Sequence, residues 1–344
     1  MSTFDTWSES ALPMVRDALV ALPAAGPQDT APVFVSAHAA PFPVEALRIT
    51  GRDRVRFLHA MLSNDVLALE PEGAGIRATL NNVQGRLVAD VHLYQVEPDK
   101  KTGSLLALFE PGAAAAFVEM LDRYVIAEKV NFDPLPCAAV AVVGPGAGGA
   151  IEALGLSLPA AGAHQTTSGE AAGAEVRVIR RELGAPESYL LVTGPESAAA
   201  LTEALGLPVL SAQTLEALRI EAPLPRAGGD LTSKNIVLEG GLKDRAVSFV
   251  KGCYIGQEVI CRLDSIGTPS KLLVQMEADG APPSPGTDLF ANGKNVGHVT
   301  SSVHSARRGG AVFLGYVKKR SNDVGATVHL GSADGPEARI VAHV

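Results

Sequence analysis

Apolar and polar positions follow two periods along this chain, and elements end where the period changes. Ala46–Thr50 predicts a short strand. Arg52–Leu62 takes the helical period, with Val55, Leu58 and Leu62 on one face. Ile76–Leu80 and Leu87–Val96 predict strands on either side of the turn-forming run Asn81-Asn82-Val83-Gln84-Gly85. Leu105–Phe109 adds a strand, Pro111–Tyr124 a helix with proline at its start, and Val125–Asn131 another strand. Strand–helix–strands–helix–strand is the order of a split βαβ, ferredoxin-like unit.

The order then recurs. Ala138–Val143 predicts a strand, Gly149–Leu154 a short helix, Glu175–Ile179 and Tyr189–Thr193 strands, Pro195–Leu205 a helix and Val209–Leu210 an edge strand. Ser211 is placed to cap a helix running through Glu221. Beyond Pro269 the elements shorten to Lys271–Glu277, Thr287–Ala291, Asn295–Ser302, Ala311–Val317, Thr327–Leu330 and Arg339–Ala342. Gly, Pro and Asn divide them, the mark of a small antiparallel barrel or sandwich. Ahead of all this, a helix near Pro13–Leu22 leads into an extended stretch containing Pro23, Pro27, Pro32, Pro41 and Pro43. The expected plan is α+β: a lead-in over 1–44, two α+β parts over 45–135 and 136–267, and a barrel over 268–344.

Composition narrows the class. With 47% hydrophobic and 19% charged residues in 344, the chain can bury several cores. Lys and Arg total 29 against 37 Asp and Glu, a net charge of -8, so no basic stripe is available for a nucleic-acid backbone. Three cysteines cannot make a disulfide framework and fit a reducing compartment. Asp5 and Glu9 precede the first basic residue, Arg16, unlike a secretory signal. Pro136, Gly144, Pro145 and Gly146 interrupt the uncharged stretch Leu135–Ile151, against a membrane span. The expectation is a cytoplasmic protein.

Candidate chemistry centres first on Lys251-Gly252-Cys253-Tyr254-Ile255-Gly256-Gln257-Glu258. A cation and a helix start at Gly256 would both favour a Cys253 thiolate; the alternative is a small packed thiol. Asp90 shares one side of its strand with Val88, His92 and Tyr94. There it is either a carboxylate among apolar groups, able to accept a proton or orient a ligand, or simply wet. Arg219 either snorkels to water or presents its planar fork to a ligand. Gly144-Pro145-Gly146-Ala147-Gly148-Gly149 only superficially suggests a dinucleotide loop. The eight histidines show no HExxH or HxxEH spacing, and no metal site is expected.

The octapeptide resembles the K-G-C-Y-x-G-Q-E signature of the YgfZ-type folate-binding proteins, relatives of the glycine-cleavage T-protein, an aminomethyltransferase. The blocks Leu218–Ala222, Asp230–Asn235, Glu239–Leu242, Gly51–Asp53 and Ser63–Val66 are similar to that family's in the same order. The resemblance implies a three-domain ring of two ferredoxin-like parts and a C-terminal antiparallel β-barrel around a central folate channel. It implies tetrahydrofolate as cofactor, held by Arg219, Asn82 and Asp90, with Cys253 and Asp90 as the chemically active groups. It further implies iron–sulfur client or assembly proteins as partners. The T-protein's Gly-Gly-x-x-Asp-Asp run corresponds to Gly85-Arg86-Leu87-Val88-Ala89-Asp90, which keeps only the second aspartate. Its Gly-Glu-x-Gly-Phe run corresponds to Ala185-Pro186-Glu187-Ser188-Tyr189, where the glutamate is displaced. Both departures speak against aminomethyl transfer, the alternative enzymatic reading; the resemblance implies instead a role in iron–sulfur cluster assembly or repair, with a folate-binding module without chemistry as the third reading.

Overall fold

A computed structural model describes residues 36–69 and 72–344. The helix expected near Pro13–Leu22 lies outside these residues. Strand β1 (His38–Phe42) replaces the end of the expected extended lead-in. Its Pro41 needs no ladder partner for a missing N–H because β1 is an edge strand. The chain then crosses to the first unit: β2 (Glu45–Thr50), α1 (Arg54–Met61), β3 (Gly75–Asn81), β4 (Leu87–Glu97), β5 (Ser104–Phe109), α2 (Ala113–Asp122) and β6 (Asn131–Pro134). The sheet order is β3-β4-β5-β2-β6. The expected strand over Val125–Asn131 forms only from Asn131 onward. The Glu128 carboxylate accepts from the amides of Ile126 and Ala127 and bends the chain there.

The second unit comprises β7 (Ala138–Val143), α3 (Ala147–Ala153), β8 (Thr166–Ala171), β9 (Ala174–Arg180), β10 (Ser188–Thr193) and α4 (Ala198–Leu205). Together with β1 its sheet runs β1-β7-β10-β9-β8. Strand β8 carries no apolar alternation that the sequence could have revealed. It pairs with β9 across Ala172 and Gly173, both at positive φ, and a turn led by Ala gives no compositional signal. Val209 makes a single parallel bridge to Ala39 rather than a strand.

Helix α5 (Ala212–Glu221) starts where expected, with the Ser211 hydroxyl accepting from the Thr214 amide. It joins all three parts. Leu215 and Leu218 enter the core between the two sheets, while Ala217 and Ile220 pack with Leu273, Leu314 and Tyr316. The segment after it, with α6 (Lys243–Ala246) and α7 (Gln257–Ser265), returns to the first unit. There Leu87 of β4 shares a core with Leu231, Leu238, Leu242, Tyr254 and Ile260. Sequence order and spatial grouping therefore part company within 136–267.

The last six strands are β11 (Lys271–Ala278), β12 (Asp288–Ala291), β13 (Lys294–Ser305), β14 (Gly310–Lys318), β15 (Thr327–Leu330) and β16 (Glu337–His343). They close a barrel in the order β11-β14-β13-β12-β15-β16, so the choice between barrel and sandwich falls to the barrel. Val274, Met276, Phe313 and Ile340 fill it. No helix among the described residues is long and apolar enough to cross a membrane.

Candidate functional site

The period-two alternation of β4 builds the site. Ala89, Val91 and Leu93 face α1 and α2 and pack with Phe57, Leu58 and Phe117. Asp90, His92 and Tyr94 point the other way, where the second unit's sheet covers them. Tyr94, Leu106 and Leu108 meet Ala141, Val143 and Leu190 in a shared core. Where that core stops, a cavity of about 830 Å³ remains, with Asp90, His92, His164, Arg181, Glu216 and Arg219 among its lining residues. Asp90 is thus neither wet nor free. The buried Arg77 holds it with both arms, Nε to Oδ1 at 3.0 Å and Nη2 to Oδ2 at 2.6 Å. A bidentate pair with the guanidinium occupies both carboxylate oxygens, so Asp90 is not presented to the cavity as a bare base.

Arg219 does not snorkel. Its Nε and Nη2 donate to the two Glu216 oxygens at 2.9 and 2.6 Å, and its Nη1 donates to Asp230 at 2.7 Å and to the Leu224 carbonyl at 2.5 Å. Two carboxylates outweigh burial and raise its pKa further. Asp230 in turn accepts from Thr300 at 2.5 Å and Ser301 at 2.7 Å on the barrel, so Arg219 links α5 to the third part through one carboxylate.

Two further groups were not singled out from the sequence. His92 and His164 stand Nδ1 to Nδ1 at 3.5 Å, one on β4 and one just before β8. Burial first, then Arg181, lowers the pKa of both, His164 to about 4, so both are neutral near pH 7. His164 is held at φ 62, its amide donating to the Arg180 carbonyl at 2.9 Å, and its own carbonyl lies where a Cβ on Gly75 would be. Sharing a side with Asp90 pointed to His92; nothing in the sequence pointed to His164. Glu110 also lines the cavity, and burial raises its pKa.

The remaining expected site residues lie elsewhere. Asn82 does not line the cavity. It closes the β3–β4 turn, its Oδ1 accepting from the amides of Gln84 and Arg86 at 3.0 Å each. None of the signature residues Lys251 to Glu258 lines it either. Lys251 is not left beside the thiol, because its ammonium donates to the carbonyls of His59, Leu62 (2.6 Å) and Asn64 (3.2 Å) at the end of α1. Burial brings its pKa down to about 8. Tyr254 is buried, whereas Gly252 and Glu258 are exposed and Gln257 is half-buried at the start of α7. Gly256 has φ +80, and a Cβ there would lie 2.5 Å from the Asn82 carbonyl oxygen. The signature glycine thus lets α7 start directly on the β3–β4 turn. Cys253 is exposed, while Cys137 and Cys261 are half-buried and burial raises both, Cys137 to about 11.

The suspected dinucleotide loop is closed by the chain itself. Glu187 accepts from the amides of Gly146 at 2.9 Å and Gly148 at 2.8 Å, so the displaced glutamate serves the start of α3 and not the cavity.

Residues 271–344 match the glycine cleavage T-protein C-terminal barrel domain. Over 83% of its length the chain is 28% identical to a putative chloroplastic transferase of Arabidopsis thaliana, and the match spans 66% of that protein, just under two thirds. It is 28% identical to the human mitochondrial iron–sulfur cluster assembly factor IBA57, covering 87% of this chain and 81% of that one. With the tRNA-modifying protein YgfZ of Yersinia pestis the identity is 28%, over 74% and 76% of the two chains. The fold is shared with the glycine cleavage aminomethyltransferase T of Bartonella henselae, with a TM-score of 0.79 at 20% identity over 89% of this chain and 85% of that one.

Proposed function

We propose, from the premise that this chain belongs to the glycine-cleavage T-protein superfamily and within it to the YgfZ type, that it is a tetrahydrofolate-binding protein supporting iron–sulfur cluster assembly or repair in client enzymes. The observation that carries the reading is the cavity between the two sheets, lined by the blocks that hold Asp90 and Arg219, with Cys253 exposed outside it. Its volume of about 830 Å³ falls in the range of pockets that enclose a cofactor-sized molecule, roughly 300–1,000 Å³. The donor set fits a pterin conjugate. Phe42, Val44, Leu183 and Leu215 offer apolar surface for flat rings, and Arg226, which spends only Nη1 on Glu216, offers further donors for a heterocycle edge. Tetrahydrofolate, when bound, supplies a carrier for one-carbon units.

Within this reading Arg219 orders the wall instead of reaching far into the cavity, because four of its donors are already engaged. Asp90 sets the position of Arg77 through its two hydrogen bonds. Cys253 is the group available to a client protein from outside. Aminomethyl transfer is disfavoured because both Asp90 oxygens are occupied by Arg77 and Glu187 is turned to the start of α3. Three free thiols suit a reducing, cytoplasmic setting. The net charge of -8 leaves protein clients as better partners than a nucleic-acid backbone.

Titration calorimetry with tetrahydrofolate, paired with a complementation assay for an iron–sulfur-dependent enzyme, tests the reading. Binding together with complementation supports it. No binding, or steady turnover of an aminomethyl-lipoyl donor, would replace it.

A further inference from the structure

Arg181 lies at the end of β9 and lines the central cavity. Its side chain is only 10% exposed, and its nearest carboxylate oxygen, on Glu110, is 3.9 Å from Nη2, beyond hydrogen-bond reach. Among the described residues none accepts a hydrogen bond from its guanidinium, although five donors are present. The neighbouring arginines differ. Arg77 is held twice by Asp90 and Arg219 by two carboxylates and a carbonyl. On one side the Phe42 ring lies 5.2 Å from the Arg181 guanidinium carbon, which orients the fork without satisfying it. A cation withdrawn from water and left without acceptors is costly unless something else supplies them.

The histidine pair adds a second donor. At 3.5 Å the two Nδ1 atoms can share one proton, so one ring donates through Nδ1 and the other accepts there. A neutral ring that accepts at Nδ1 carries its proton on Nε2, and no described group takes that proton. The cavity therefore holds an unmatched cation near an unmatched neutral N–H. The carboxylates lining the cavity give the Arg181 guanidinium no hydrogen bond. Asp90 is taken by Arg77, Glu216 by Arg219 and Arg226, and Glu182 faces Arg245 at 3.4 Å, while Asp244 is exposed and Glu110, at 3.9 Å, is beyond hydrogen-bond reach and disfavoured as an anion by burial.

We propose that Arg181 is the anchor for a carboxylate or other oxyanion of the molecule that the cavity receives, with the His92–His164 pair supplying the neutral donor beside it. This rests on the cavity being a ligand site, as read above, but not on the ligand being a folate. An oxyanion in the Arg181 fork would make two charge-assisted bonds in a place with little competing water. It would favour molecules carrying such a group over neutral heterocycles of the same size.

Calorimetry on the full chain with three organic probes and one inorganic anion tests the assignment. The probes are tetrahydrofolate, 4-aminobenzoylglutamate (carboxylates without the pterin), 6-methyltetrahydropterin (the pterin without carboxylates) and inorganic phosphate. R181Q is expected to weaken tetrahydrofolate and 4-aminobenzoylglutamate roughly ten- to hundred-fold, the range of a lost charge-assisted bond, and to leave 6-methyltetrahydropterin within about twofold. R181K, a point charge without the fork, falls between. E110Q, which removes the carboxylate 3.9 Å from Nη2, keeps or strengthens binding of 4-aminobenzoylglutamate and phosphate and leaves 6-methyltetrahydropterin within about twofold; weakened anion binding in E110Q overturns the proposal, and this arm stays readable should R181Q not fold. Binding of 4-aminobenzoylglutamate or phosphate lost in R181Q, without binding of tetrahydrofolate, keeps the anchor and removes the folate reading. Unchanged anion affinity in R181Q, a loss confined to 6-methyltetrahydropterin, or no anion binding to the wild-type chain overturns the proposal.

Discussion

Removing the Asp90 carboxylate should destabilise the fold far more than a surface mutation, and the size of the loss reveals what the residue is for. Asp90 is 5% exposed and faces Arg77, itself 9% exposed, through two short hydrogen bonds. In D90A the guanidinium keeps a single weak acceptor, the Pro225 carbonyl at 3.4 Å, so a buried cation loses its counter-charge. Breaking such a pair from one side costs about 3–5 kcal/mol, whereas replacing both members by apolar residues of similar volume is often close to neutral. D90A and R77M should therefore each lose about 3–5 kcal/mol, and the double variant R77M/D90L should recover most of it. Urea unfolding followed by far-ultraviolet circular dichroism reads this as a midpoint shift at constant slope. At ~3 kcal/mol/M a 4 kcal/mol loss moves the midpoint by roughly 1.3 M. A D90A midpoint within about 0.3 M of wild type would mean that the carboxylate is not locked in the pair and is available as a base, reopening the aminomethyl transfer reading.

Three further outcomes follow from the geometry. Unfolded histidines take up protons near pH 6.5, while folded His164 resists until about pH 4 and His92 is lowered as well. Above pH 6.5 this difference contributes nothing, and as pH falls toward 4 it removes up to ~1.4 kcal/mol per histidine per pH unit. The urea midpoint should thus fall less steeply with acid in H92Q/H164Q, and identical acid limbs would refute the neutral pair. Gly256→Ala forces a β-carbon to within 2.5 Å of the Asn82 carbonyl at φ +80 and should cost at least ~2 kcal/mol, seen as a lower melting temperature, whereas Gly252→Ala meets open space and should be near neutral. Iodoacetamide should label exposed Cys253 before Cys137 and Cys261, with C253A keeping wild-type stability. Equal labelling of all three would show that the exposure is not realised in solution.

Much of the fold was legible in local pattern. The strand and helix periods, the Ser211 cap, the six barrel strands and the helix starting after Gly256 depend on neighbours a few residues away, and such signals survive in one dimension. Strand β8 escaped because it is polar, and β1 because its proline reads as extended chain until an edge position makes it harmless. The site was legible in part. Alternation placed Asp90 and His92 on one side of β4, and the matching blocks drew attention to Arg219. Whether that side was wet or covered depended on a second sheet nearly 50 residues further on, and periodicity says nothing about what packs against a face. The same limit explains the signature. Its residue types suggested a cation poised at a thiol, but the Lys251 ammonium meets carbonyls nearly 190 residues away in sequence, so the octapeptide docks α7 on the first unit and leaves Cys253 outside. Charge pairing was the least predictable. Composition counts arginines, but only the tertiary structure decides that Arg77 and Arg219 hydrogen-bond to carboxylates while Arg181, similarly withdrawn from water, has only Glu110, 3.9 Å away.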